Sequence, residues 1–150
     1  MIIKFGPIDL AHWLKLHAWA EPREVKPGEK GNFALEIEIP EHGHIQSHAT
    51  SDPFLVPAEL VLDDLDGIKF GLVEYPPHSE EKVFDWVWMK RVLSVYSGTI
   101  KLIVPFTIAG DAASGVKKVG ARLKYQGCTA SDCLPPNTQD VATEITILPS

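Results

Sequence analysis

Asn32-Phe33-Ala34-Leu35-Glu36-Ile37-Glu38-Ile39 places Phe33, Leu35, Ile37 and Ile39 on one face and Asn32, Ala34, Glu36 and Glu38 on the other. A period of two belongs to a half-buried strand, because successive side chains of an extended chain point to opposite faces. The same alternation runs through residues 99–108, with Ile100, Leu102, Val104, Phe106 and Ile108 on the apolar face, and through 119–125, with Val119, Ala121, Leu123 and Tyr125. Pro105 has no N–H to give to a ladder, so it predicts an edge strand or a bulge. Shorter strands are predicted at 14–20, 58–62, 68–73, 83–88, 92–96 and 141–148, separated by turn chemistry such as Lys26-Pro27-Gly28, Asp66-Gly67 and Ser97-Gly98. Eight or nine strands, 12 prolines between them and no clear amphipathic helix predict an all-β chain, an immunoglobulin-like antiparallel β-sandwich. A closed barrel is the alternative. Residues 8–19 fit a helical face through Leu10, Trp13, Leu14 and His17, but Leu14, Leu16, Ala18 and Ala20 equally share a strand face, and 8–13 stay undecided.

Composition narrows the function classes. At 150 residues the chain is expected to form one domain, able to bury a core without many disulfides or metals. Apolar residues make up 45% and charged residues 23%, a globular rather than a disordered mixture. Lys and Arg number 14 against 20 Asp and Glu, a net charge of −6, which opposes binding to a phosphate backbone and excludes nucleic acid as the expected partner. No apolar run approaches the roughly 20 residues that cross a bilayer, and Met1-Ile2-Ile3-Lys4-Phe5-Gly6-Pro7 lacks the apolar core of a signal peptide. A membrane association is therefore expected only through removed or neighbouring segments. Nucleophile-elbow, phosphate-loop and zinc-protease helix motifs are absent from the sequence.

The two cysteines carry the informative chemistry, in Tyr125-Gln126-Gly127-Cys128-Thr129-Ala130-Ser131-Asp132-Cys133-Leu134-Pro135-Pro136. Continuing the phase of residues 119–125 turns Arg122, Lys124, Gln126 and Cys128 outward, so Cys128 is expected near the surface. Four intervening residues suffice for a hairpin loop, which brings opposed Cα atoms to about 4.5 to 5.5 Å, within disulfide reach. So small a ring removes little chain entropy and would be a weak staple. Exposed, locally closed disulfides are also the exchange-competent kind. A redox pair, a passive hairpin disulfide and two unlinked thiols all remain open at this point.

Other clusters are weaker. Structural zinc needs four ligands, and one cysteine pair supplies two. His42, His44 and His48 suggest a copper or zinc site, against a solvated loop with one buried histidine. Phe84, Trp86 and Trp88 share one strand face, which reads as core or, alternatively, as a lid or docking surface.

Tyr125-Gln126-Gly127-Cys128 followed by Cys133-Leu134-Pro135-Pro136-Asn137-Thr138 resembles the active-site hairpin of the amino-terminal periplasmic domain of the DsbD family of thiol:disulfide interchange proteins. The similarity extends through Val25-Lys26-Pro27-Gly28, through Ile39-Pro40-Glu41-His42-Gly43-His44-Ile45 and through Tyr96-Ser97-Gly98 leading to Val104-Pro105. It covers about residues 14–148 and leaves 1–13 as an extension without an assigned role. The resemblance implies an immunoglobulin-like fold in the periplasm and a cofactor-free protein-disulfide reductase, one domain of a larger protein. Its electrons would come from a thioredoxin-like domain and pass to disulfide isomerases or cytochrome c maturation thioredoxins. It implies that Cys133 forms the mixed disulfide and Cys128 resolves it. The family shields its disulfide with an aromatic cap, for which Phe84, Trp86 and Trp88 are candidates. Tyr125, Gln126 and Pro135 are candidate partner contacts. Gln46 and Ser47 stand where tyrosines often flank the family's cysteines. The loop is one residue shorter than in the best-known members, and Asp132 is expected to raise the Cys133 thiol pKa. The rival reading is a non-catalytic immunoglobulin-like binding module with a static hairpin disulfide.

Overall fold

The computed structural model describes residues 9–50, 52–86, 89–130 and 132–150. The side chains at 80, 82, 84–86 and 89–91 are outside that description. Among the described residues the strands are β1 (Lys15–Glu21), β2 (Glu24–Val25), β3 (Lys30–Glu38), β4 (His44–Gln46), β5 (Glu59–Leu62), β6 (Ile68–Phe70), β7 (Glu80–Trp86), β8 (Met89–Tyr96), β9 (Thr99–Ile108), β10 (Gly115–Tyr125), β11 (Gly127–Cys128) and β12 (Asn137–Ile147). They form three four-stranded sheets, β1-β3-β9-β6, β2-β12-β10-β5 and β11-β4-β8-β7.

The strongly alternating stretches form the centre. β3 pairs antiparallel with both β1 and β9, and β10 with both β12 and β5. Phe33, Leu35 and Ile37 of β3, with Leu102, Val104, Phe106 and Ile108 of β9, share one core with Val119, Ala121, Leu123 and Tyr125 of β10 and Ile145 and Ile147 of β12. All are almost fully buried. Each such Leu, Ile or Phe contributes roughly 1.5 to 3 kcal/mol by leaving water, and their apolar faces hold the first two sheets together as a β-sandwich. Ile45 of β4 and Tyr96 of β8 join the same core, so the third sheet packs against the other two.

Several details depart from the sequence reading. β9 is an interior strand, because Pro105 projects its missing N–H toward the side where β6 has ended. The Pro105 carbonyl accepts from Gly71 N at 2.7 Å. The short β2 pairs parallel to β12, an exception to the antiparallel pattern. Residues 10–12 form a single 3₁₀ turn, capped by the Asp9 carboxylate, which accepts from Ala11 N at 3.1 Å. The strand face through Leu16, Ala18 and Ala20 begins after it. β2, β4 and β11, the strands not foreseen, are two or three residues long.

Candidate redox site

β10 carries the chain to Tyr125, and there the outward–inward phase breaks. Arg122 and Lys124 are exposed as expected, but Gln126, Gly127 and Cys128 are all buried. The physical reason is a change of sheet: after Gln126 the chain leaves β10 and pairs as β11 with β4, Gly127 opposite Ile45 and Cys128 opposite His44. Both faces of this short ribbon are covered, so the expectation that Cys128 lies near the surface is wrong. Cys128 is 0% exposed. It packs with Leu55, Leu93 and Val95 in a cluster separate from the main core, with the half-buried Cys133 against it.

Cys128 and Cys133 form a disulfide, with their Cα atoms 4.0 Å apart, so they are not unlinked thiols. The hairpin is closed locally. Thr129 N donates to Asp132 O at 2.7 Å and Leu134 N to Gly127 O at 2.8 Å. The Asp132 carboxylate accepts from Cys133 N at 2.8 Å, which places its negative charge at the Cys133 backbone.

Two buried glutamines hold the surroundings. Gln46, 0% exposed, directs Nε2 at Cys128 Sγ over 3.5 Å, while its Oε1 accepts from the Thr50 hydroxyl at 3.0 Å. Gln126 accepts from Val56 N at 2.9 Å and donates to Leu134 O at 3.0 Å. It thereby ties the segment carrying Leu55 to the segment that follows Cys133. Gln126 is thus an internal clamp rather than a partner contact. Tyr125 is likewise interior: its hydroxyl donates to Gln139 Oε1 at 2.6 Å and accepts from Asn137 Nδ2 at 2.9 Å. Burial pushes its pKa above the ordinary value, partly opposed by the Asn137 bond. Pro135 is exposed beside Cys133, free to meet a partner.

Trp13 is the site residue that sequence reasoning missed. Its ring stacks on Tyr125 at 6.2 Å and 12° and lies against the bare backbones of Gly43 and Gly127, where a Cβ would come within 3.1 Å and 2.5 Å of it. The pair of glycines at 43 and 127 was the available signal. A groove of roughly 570 Å³ opens between Trp13, His42 and the hairpin residues Thr129 and Ala130. Residues 9–13 are tied down by Asn137, which donates to Leu10 O. Gln139 then accepts from Leu14 N and donates to Leu14 O, both at 3.0 Å.

Two of the three candidate cap residues fall on the third sheet. Phe84 and Trp86 stand on β7, opposite Arg91 and Met89 of β8, and β7 lies three strands from β11, roughly 14 Å at the usual strand spacing. The side chains of Phe84 and Trp86, and Trp88 as a whole, lie outside the described residues. Among the described side chains, Leu55, Leu93 and Val95 pack around Cys128. The three histidines do not converge. His42 is exposed beside Glu41 at 3.6 Å, His48 Nδ1 bonds Ala58 O at 2.8 Å with its ring stacked on Tyr75 at 3.6 Å, and His44 is buried. Among the described residues no three His, Cys, Asp or Glu side chains gather as a metal site, so the copper reading has no ligand set.

No family model and no curated protein matches the sequence. Among solved structures the chain is similar to the N-terminal periplasmic domain of ScsB from Proteus mirabilis, with a TM-score of 0.53 and 11% identity over 89% of this chain; it spans 46% of that chain. Weaker likenesses, both with a TM-score of 0.41, are to the Neisseria meningitidis DsbD N-terminal domain in its reduced form (22% identity, 79% of this chain and 78% of that one) and to the sporulation control protein Spo0M from Bacillus subtilis (12% identity, 91% and 50%). At the level of fold the chain is thus similar to the ScsB N-terminal domain, a β-sandwich that here carries a disulfide.

Proposed function

We propose that this chain is a thiol–disulfide exchange domain, a protein-disulfide reductase module working in the periplasm as part of a larger protein. Electrons enter from a thioredoxin-like dithiol and leave to periplasmic disulfide isomerases or cytochrome c maturation thioredoxins. The observation that carries this reading is the asymmetry of the pair: Cys128 is sealed under Leu55, Leu93 and Val95, whereas Cys133 is half-buried at a locally closed hairpin. An exchange site needs one sulfur that a partner can reach and a second held within bonding distance to displace that partner. The hairpin supplies both. In the delivering direction the Cys133 thiolate attacks a partner disulfide, forms the mixed disulfide and expels one partner thiolate; Cys128 then attacks Cys133 Sγ and releases the other. The partner gains two electrons and the pair is reoxidised. The resemblance to the DsbD hairpin and the likeness in fold to a periplasmic domain support the location and the partner class.

The test is the reduction midpoint of the pair, read by equilibrating the protein in graded thiol buffers, alkylating free thiols and weighing the product. A midpoint between roughly −180 and −270 mV matches the thioredoxin and isomerase couples. A midpoint below about −300 mV marks a static disulfide and favours the binding module.

A further inference from the structure

The fully buried Gln46 is a polar side chain whose amide is fixed in direction. A disulfide sulfur has no proton to donate, so the group facing Cys128 Sγ at 3.5 Å is the N–H end of the amide, and the Thr50 hydroxyl holds the oxygen end at 3.0 Å. The backbone of Gln46 is fixed as well, its N–H donating to Gln126 O at 3.1 Å and its carbonyl accepting from Ala58 N at 3.3 Å. The apolar neighbours of Cys128 are Leu55, Leu93 and Val95. Walls of that kind disfavour a thiolate and would make Cys128 a poor leaving group. A hydrogen bond to a charged acceptor contributes about 1.5 to 3 kcal/mol, more than one to a neutral acceptor.

We propose that the Gln46 amide, oriented by Thr50, stabilises Cys128 as the departing thiolate and so directs attack to Cys133. This rests on the exchange reading above. In the loading direction the thiolate of a dithiol donor attacks Cys133 Sγ, the Cys133–Cys128 bond breaks, and its electron pair leaves on Cys128 facing the Gln46 N–H. The donor's second thiolate then attacks its own sulfur in the mixed disulfide and expels the Cys133 thiolate. The donor ends as a disulfide, the pair ends as a dithiol, and the protons released by the donor go to the two cysteines. The bond is strongest when the charge is on Cys128, so it acts more on the leaving step than on the resting disulfide.

The test uses Gln46→Met, which keeps the length of the side chain and removes the donor, and Thr50→Val, which keeps the amide and removes its anchor. In a Cys133→Ser background the Cys128 pKa is read from thiolate ultraviolet absorbance. Gln46→Met is expected to raise it by about 1 to 2, and Thr50→Val to raise it less, in the same direction. In the two-cysteine protein Gln46→Met is expected to slow reduction by dithiothreitol about tenfold to a hundredfold. Near-ultraviolet circular dichroism reports the fold. An unchanged Cys128 pKa in a folded Gln46→Met protein overturns the proposal; if that variant does not fold, an unchanged pKa in Thr50→Val overturns it. Failure of the parent reading looks different. A native wild-type disulfide that dithiothreitol leaves intact sinks the exchange reading and the leaving-group role with it, whereas a readily reduced disulfide with an unmoved Cys128 pKa sinks the role of Gln46 alone.

Discussion

Breaking the Cys128–Cys133 bond should weaken the fold without dissolving it. The ring consists of the two cysteines and the four residues between them. The chain-entropy relation for a loop of that size gives about 7 cal/mol/K, or about 2 kcal/mol at 25 °C. Neither cysteine belongs to the core shared by β3, β9, β10 and β12; both sit in the smaller cluster with Leu55, Leu93 and Val95. The reduced Cys128 thiol fits that apolar surrounding as a small hydrophobe. For 150 residues the unfolding entropy is roughly 0.3 kcal/mol/K, so the loss corresponds to a Tm lower by about 7 °C. Urea unfolding of the oxidised and reduced forms, followed in parallel by tryptophan fluorescence and far-ultraviolet circular dichroism, measures the difference. A loss beyond about 4 kcal/mol, or unfolding on reduction, would refute the reasoning. It would mean that the bond staples the fold, and a domain that cycles between dithiol and disulfide must stay folded in both states.

Further outcomes follow from single contacts. Gly127→Ala puts a Cβ 2.5 Å from the Trp13 ring and should cost about 1 to 3 kcal/mol by overpacking; in a Trp13→Ala background the cost should disappear, a coupling that a double-mutant cycle in urea measures. Asp132→Asn removes the negative charge of the carboxylate that accepts from Cys133 N and should lower that thiol's pKa, so a Cys128→Ser protein should alkylate a few-fold faster at neutral pH. Leu55→Ala should destabilise by about 2 kcal/mol, the low end for a buried leucine, and speed reduction of the disulfide by dithiothreitol. Phe84→Ala, Trp86→Ala and Trp88→Ala should do the latter only if the corresponding ring covers the pair; three unchanged rates would remove the aromatic cap. At alkaline pH, Tyr75, Tyr96 and Tyr125 all have pKa values raised mainly by burial. Since the unfolded chain releases these protons first, stability is intact below about pH 10 and is lost as pH rises through the raised folded values, which unfolding midpoints across an alkaline series would show.

The sandwich was legible because β3, β9 and β10 each bury one face in the core and leave most of the other partly or fully exposed, which writes a period of two into the sequence. β4 and β11 are buried on both faces and too short to show any period, so the sheet that seats the cysteines was invisible. That omission explains the error at Cys128: the phase of β10 was carried past Tyr125, where the chain changes partners. The cysteine spacing gave the hairpin and its bridge correctly. Leu55 could not be singled out, since one leucine in a Pro-flanked loop shows nothing of what it covers. Trp13 fell in a stretch where helix and strand faces were equally populated, and its place was decided by two glycines distant in sequence. Gln46 was noted as a residue standing where tyrosines often flank the cysteines, but its contact with Cys128 required the loop through Thr50 to be folded over it.

Pro105 bears on the exposed flank of β9. β6 ends at Phe70 and the chain returns to the flank of β9 only at Glu74, whose N–H and carbonyl both bond Ile103. Between those points β9 would present a short stretch of open backbone, a place where a strand from another chain could add and begin aggregation. The proline offers no N–H there, and its carbonyl is already engaged by Gly71. A residue that looked like a flaw in a central strand leaves no free N–H at that point of its flank, a gatekeeper written into the backbone rather than into surface charge.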